Sequence, residues 1–161
     1  MATLLELVQA FFADEGWSAT PLDGLPAMRM QFHSQHGPLT CIVRTRESLG
    51  QVVFYTQCPI AVPAERRLAV TEFVTRANYG MIVGNFELDV ADGDLRFKTF
   101  IDLGPEPTVE GLPPFARLCS QMIGANLSVM DRYVRGIAEV VAGGAPADAV
   151  AAIETPEHAR P

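Results

Sequence analysis

The 161-residue chain is predicted to fold as one α+β domain, an antiparallel five-stranded sheet with helices packed on it in the order α-βββ-α-ββ-α. Three observations lead there. Apolar residues recur at helical spacing near the start, in the middle and over a long stretch toward the end. Segments rich in Val, Ile, Thr and aromatics lie between them, one with clean period-two alternation. Turn signals join these segments into a group of three and a group of two, so neighbouring strands run antiparallel.

The first helix opens at Thr3, which with Glu6 forms a capping-box pattern, and runs to about Ala13. Leu4, Leu5, Val8, Phe11 and Phe12 give it a broad apolar face. "DEGWSATPLDGLP" breaks it with Gly16, Pro21, Gly24 and Pro26, and Trp17 is expected to pack back over the core. In "MRMQFH", Met28, Met30 and Phe32 alternate with Arg29, Gln31 and His33, the mark of a half-buried strand. "SQHGP" turns the chain into a second strand, Leu39–Arg46, and "ESLG" into a third, Gln51–Cys58.

A second helix is predicted from Pro63, where a missing N–H costs nothing, to Asn78. Val70, Phe73, Val74 and Ala77 form its apolar stripe, and Gly80 stops it. Phe86–Leu103 then reads as a hairpin. With Asp92-Gly93 as a two-residue tip, Asp89 faces Arg96 and Glu87 faces Lys98, while Leu88 pairs with Phe97 and Phe86 with Thr99. A long helix follows, from about Pro114 to Ala142. Cys119, Ile123, Leu127, Met130, Val134, Ile137 and Val141 form one stripe, with Leu118, Met122, Val129, Tyr133 and Val140 beside it. Asp131–Arg135 and Arg135–Glu139 are spaced to pair on the exposed side. At ~1.5 Å per residue the helix is about 40 Å long, more than a usual strand, so part of it is expected to overhang and meet a second chain. An Ala-rich helix in "APADAVAAIE" closes a single domain spanning 1–161, with an ordered core of about 3–154 and loose last residues.

The totals narrow the function. A net charge of −7 favours solubility and a basic partner, and disfavours a broad nucleic-acid footprint, which needs clustered Lys and Arg. No apolar run approaches the ~20 residues of a membrane span, and the N-terminal segment reads as an amphipathic helix rather than a secretion signal. Cys41, Cys58 and Cys119 are scattered and odd in number, so no disulfide framework is expected and the location is read as cytoplasmic.

The chemical candidates are Glu87, Asp89, Asp92, Asp94 and Asp102, five carboxylates within seventeen residues. With Gly93 at position 6 of a calcium loop, Leu88, Val90 and Thr99 fall where oxygen ligands belong. The cluster therefore reads as hairpin decoration neutralised by bases across the ladder. His33, His36 and Cys41 lack zinc spacing, and no metal or other cofactor is expected. Cys58 is a nucleophile only if a base lowers its pKa, and the sequence shows no such neighbour. Arg66, Arg67 and Arg76 on the second helix, and Arg44 and Arg46 on a strand, read as solvated charges. No GxSxG, Walker A, dinucleotide or HExxH motif is present.

Asn78-Tyr79, Gly84, Phe86, Glu87-Leu88-Asp89, Asp92-Gly93, Arg96-Phe97 and Lys98 resemble the YbjN-like family of small bacterial proteins, as do "VVFYTQCPIAVPAERR" and "APADAVAAIE" on either side. The resemblance extends from about Leu5 to Ile153. It implies a fold similar to type III secretion chaperones, small acidic homodimers that bind extended segments of client proteins. It also implies a sensory-transduction or stress-regulation role, and no catalytic residues. The resulting expectation is a non-enzymatic, dimeric, chaperone-like binding module or regulatory adaptor. Met122, Ile123, Met130 and Val134 on the long helix are its candidate contacts for a second copy or a client protein, with the exposed strand face for the rest. The alternative is a small-molecule sensor with Trp17, Phe54, Tyr55 and Phe86 around an apolar pocket; a third reading is an enzyme using Cys58 or the hairpin carboxylates.

Overall fold

The computed structural model describes residues 2–105 and 112–154, with backbone alone for 112–114. Helix α1 (Leu4–Asp14) precedes strands β1 (Thr20–Pro21), β2 (Ala27–Ser34), β3 (Gly37–Arg46) and β4 (Gln51–Gln57). Helix α2 (Arg67–Asn78), strands β5 (Asn85–Leu88) and β6 (Leu95–Asp102), and helices α3 (Leu112–Val141) and α4 (Pro146–Ile153) follow. Among the described residues the sheet has six strands in the order β1-β2-β3-β4-β6-β5, all paired antiparallel. The expected five are therefore one short. The extra strand is the two-residue β1, too brief to show any period and ending in a proline, which an edge position tolerates.

The helices cover one face of the sheet and bury it in two adjoining halves. α1 and the first half of α3 lie over Met28, Met30, Cys41, Val43, Val52 and Phe54. α2, α4 and the second half of α3 lie over Leu39, Phe86, Leu95 and Phe97. The capping box of α1 forms as read: Thr3 Oγ1 accepts from the Glu6 N–H at 3.2 Å, and Glu6 Oε2 accepts from the Thr3 N–H at 2.8 Å. Glu47 adds its carboxylate to the N–H groups of Leu4 and Leu5, where the helix dipole favours negative charge. Trp17 packs edge-on to Phe11 and Phe32, the cover expected of it.

α3 is 30 residues long, and the apolar side expected to meet a second chain is covered within this one, by α1 at its start and by α2 and α4 at its end. Its buried line is Phe115, Cys119, Ile123, Asn126, Met130, Tyr133, Val134, Ile137 and Val140. The sequence stripe had Leu127 where the structure buries Asn126. The Asn126 carboxamide donates to Phe54 O (3.0 Å), Phe97 O (3.3 Å) and Thr99 Oγ1 (3.0 Å), pinning the helix to β4 and β6. Asp131 pairs with His36 Nδ1 at 2.9 Å across to the β2–β3 turn, rather than with Arg135 along the helix. The Ser34 hydroxyl and His36 hold its carboxyl below the usual range.

α2 starts later than predicted: Pro63 precedes a 3-10 turn at Ala64–Arg66, and the α-helix begins at Arg67. Two of the arginines read as solvated are clamps. Arg66 Nε donates to Val140 O at 2.9 Å, satisfying a carbonyl at the end of α3. Arg67 donates to Val90 O (3.1 Å) and Ala91 O (2.8 Å) in the β5–β6 loop. Arg76 pairs with Glu72 one turn away.

The β5–β6 hairpin departs from the predicted register by two residues. Phe86 faces Phe97, Glu87 faces Arg96 and Leu88 faces Leu95. A slip of two keeps each side chain on its face but opens the tip to six residues, 89–94. Side-chain caps explain the wider loop. Asp89 Oδ1 accepts from the Ala91 N–H and Asp92 Oδ1 from the Asp94 N–H, both at 2.8 Å, local bonds that outcompete ladder pairing. Gly93 takes φ +85°, and a Cβ there would lie 2.3 Å from Val62 O.

The outer edge of β5 is closed by a side chain. Asn78 Oδ1 accepts from the Phe86 N–H at 2.7 Å and Asn78 Nδ2 donates to Phe86 O at 3.1 Å, so one carboxamide stands in for a neighbouring strand. Gly84 brings the chain to that position with φ +79°, where a Cβ would lie 2.4 Å from Lys98 O. Phe86 then packs on Phe97 and Tyr133.

Candidate interaction surface

Among the described residues no helix covers the second face of the sheet. In β6, Leu95, Phe97, Thr99 and Ile101 are buried under the helices, while Arg96, Lys98, Phe100 and Asp102 alternate onto the open face. The registers then fix the rows. Arg44, Val53 and Phe100 lie side by side across β3, β4 and β6. The next row is Arg29, Ile42, Tyr55, Lys98 and Asn85, and the one beyond it Gln31, Thr40, Gln57, Arg96 and Glu87. At the other end Arg46, Gln51 and Asp102 line up.

A shallow depression of about 470 Å³ lies over the first two rows, with Arg44, Arg46 and Lys98 around Val53, Tyr55 and Phe100. Phe100 is 54% exposed, an aromatic ring set among charged groups. The Arg96 guanidinium lies 4.4 Å from the centre of the Tyr55 ring. Arg96 and Lys98 both bind Glu87, Arg96 Nε at 2.9 Å. Partial burial pushes the Glu87 carboxyl up, but the hydrogen bonds from Lys98 and Arg96 outweigh it and hold the group below its ordinary value. Asp102 is likewise lowered, by Gln51 Nε2 at 2.8 Å and the Gly104 N–H at 3.0 Å.

The structure places the sequence-derived candidates elsewhere. Ile123 and Met130 are 0% exposed and Val134 5%, all inside the chain's own core; only Met122 is half-buried. A partner meets those three only if α3 leaves the sheet. The four pocket aromatics do not converge: Trp17 and Phe54 belong to one half of the core, Phe86 to the other, and Tyr55 is on the opposite face. Glu87 and Asp89 do not share a ladder face with two bases, since Asp89 caps the loop and Glu87 takes both cations. Cys58 is half-buried, and its thiol is pushed up to about 11, first by burial, with Asp94 adding to the rise. That disfavours the thiolate a nucleophile needs. Cys41 and Cys119 are raised to about 12 by burial. Among the described residues no three His, Cys, Asp or Glu side chains gather as a metal site, and no helix is long and apolar enough to cross a membrane.

The exposed strand face was expected to carry the remaining contacts, but its residues were not singled out for them. Their signal was legible in "LRFKTFID", where Phe100 breaks the charged side of an alternating strand.

Comparison with known proteins agrees with this architecture. The chain of the crystal structure of YbjN, described as "a putative transcription regulator from E. coli", superposes with a TM-score of 0.58 at 10% identity, covering 86% of this chain and 96% of that one. A chain of the ExsC–ExsE complex superposes with a TM-score of 0.51 at 12% identity, covering 82% and 91%. At such identities the likeness is one of fold. No curated protein matches the sequence. The family model described as "YbjN: Putative bacterial sensory transduction regulator" matches residues 4–139, from the start of α1 into the last turn of α3. The chain therefore belongs to the YbjN family.

Proposed function

We propose that this chain is a non-enzymatic, chaperone-like protein-binding module or regulatory adaptor of the cytoplasm, acting in stress or signalling regulation. It takes a segment of a partner protein on the open face of its sheet. The observation that carries this reading is Phe100, exposed beside Val53 and Tyr55 within a ring of cations, on a sheet whose other face is filled by four helices. Specific protein surfaces centre on such an aromatic anchor with a polar surround. Edge addition of a strand is disfavoured at β5, where Asn78 occupies the backbone groups of Phe86. The fold shared with a chain of the ExsC–ExsE complex supports a partner-binding role, and three free thiols suit a reducing compartment.

The module works as a homodimer in this reading. Its support is apolar surface outside α3: Leu68 is 85% and Ile82 93% exposed, and Val83 is exposed beside Ile82 in the turn before β5. Sedimentation at micromolar concentration tests this part; a monomer throughout removes it.

The test of partner binding is capture from the native cell by the wild-type chain and by Phe100→Glu, with the recovered protein then purified and rebound in isolation. A direct complex that Phe100→Glu weakens supports the proposal. A complex that forms equally with the variant, or no direct complex, contradicts it.

A further inference from the structure

Resting on that reading of the open face, we propose that the bound segment is acidic: a short extended stretch of partner protein in which Asp or Glu residues flank an apolar side chain. The chain as a whole carries −7, with 12 Lys and Arg against 19 Asp and Glu. Its open sheet face reverses that balance. Arg29, Arg44, Arg46, Arg96 and Lys98 project from its strands against Glu87 and Asp102, while Asp89 and Asp94 gather with Glu87 and Arg96 beyond the β5 end, away from Arg29, Arg44 and Arg46. Glu87 is bridged by two of the cations, and Asp102 is held by Gln51 and a backbone N–H. Arg29 and Arg44 make no ion pair among the described residues, and Arg46 donates only to the neutral Gln51 at 3.0 Å. None of the three has a fixed counter-charge; Arg44 and Arg46 border Phe100 and Val53, and Arg29 lies further out on β2.

Spacing fits an extended peptide. Arg44 and Arg46, both without a carboxylate partner, stand two residues apart on β3, ~7 Å, the spacing of residues i and i+2 on one face of an extended chain. Two carboxylates so separated reach both arginines while an apolar side chain on the same face of the segment lies against Val53 and Phe100 beside them. A nucleic acid fits less well: Arg96 covers the Tyr55 ring, so Phe100 stands without a second free stacking ring, and a long polyanion runs off the patch onto acidic surface.

The test is fluorescence anisotropy with three labelled probes: a peptide of five Asp or Glu residues around a central Leu-Phe pair, the same peptide with each acid replaced by Lys, and an oligodeoxythymidine of equal length. The wild-type chain is expected to bind the acidic peptide alone, more weakly as salt rises. The double variant Arg29→Glu, Arg44→Glu is expected to lose about tenfold or more in affinity, and Arg135→Glu, an exposed charge on α3, none. Circular dichroism verifies that each variant is folded. Equal binding of the lysine peptide, binding of the oligonucleotide alone, or indifference to the double variant overturns the proposal. So does self-association through this face, seen as a dimer that the double variant dissolves without any peptide binding. A purified partner that needs Phe100 but tolerates the double variant leaves partner binding standing and removes only the acidic segment.

Discussion

Replacing Asn78 by Ala removes the carboxamide that closes the β5 edge. Alanine is the best helix former, so the end of α2 loses nothing by the change. The Phe86 carbonyl keeps a second donor, Asn85 Nδ2 at 3.2 Å, but its N–H is left with no described acceptor once the 2.7 Å bond is gone. Leaving a partly buried N–H unsatisfied costs about 1–3 kcal/mol, and the weakened carbonyl adds less than 1. A loss of about 2 kcal/mol is expected, which for a domain of this size lowers Tm by roughly 4–8 °C. Asn78→Asp keeps the acceptor but sets a second oxygen against the Phe86 carbonyl, and is expected to cost at least as much. Urea titration followed by Trp17 fluorescence measures the free energy, and amide exchange at Phe86 reports the local opening. A midpoint unchanged in both variants, with Phe86 still protected, refutes the edge-closing role.

Gly84→Ala forces a Cβ to 2.4 Å from Lys98 O at φ +79°, so a destabilisation of about 2 kcal/mol or more is expected by urea titration. Asn126→Ala removes three buried hydrogen bonds to β4 and β6 and is expected to cost about 2–3 kcal/mol, with the ring resonances of Phe54 and Phe97 broadened. Glu87 has a folded pKa below its ordinary 4.5, so its contribution is complete above that value and disappears as pH falls through the lowered one. Glu87→Gln is therefore expected to cost about 1 kcal/mol at pH 7 and to converge with wild type in acid; a gap that persists or widens in acid contradicts the ion-pair origin.

Much of the scaffold was legible in the sequence because its signals are local. The Thr3–Glu6 capping box, the alternation of Met28, Met30 and Phe32, and the stripe Val70, Phe73, Val74, Ala77 each announce their element within one or two turns. The hairpin register was not legible, since the two-residue tip competed with Asx caps at Asp89 and Asp92 and with the Arg67 clamp, which comes from another element. Asn126 hid in an apolar stripe because its partners are backbone carbonyls, which carry no sequence mark. The long helix was read as the main contact for a related reason. An apolar face on a long helix looks surplus until α1, α2 and α4 are seen to cover it, and strand arginines look scattered until the registers bring them together. Bulk charge pointed toward a basic partner, whereas its distribution on the open face favours an acidic one.

Partner binding on the open face of the sheet is read directly by methyl and aromatic NMR on this 17.5 kDa chain. On titration with the purified partner, the methyls of Ile42 and Val53 and the ring of Phe100 are expected to shift, while those of Ile123, Met130 and Val134 stay in place. Shifts in the α3 methyls with Val53 and Phe100 unmoved contradict it.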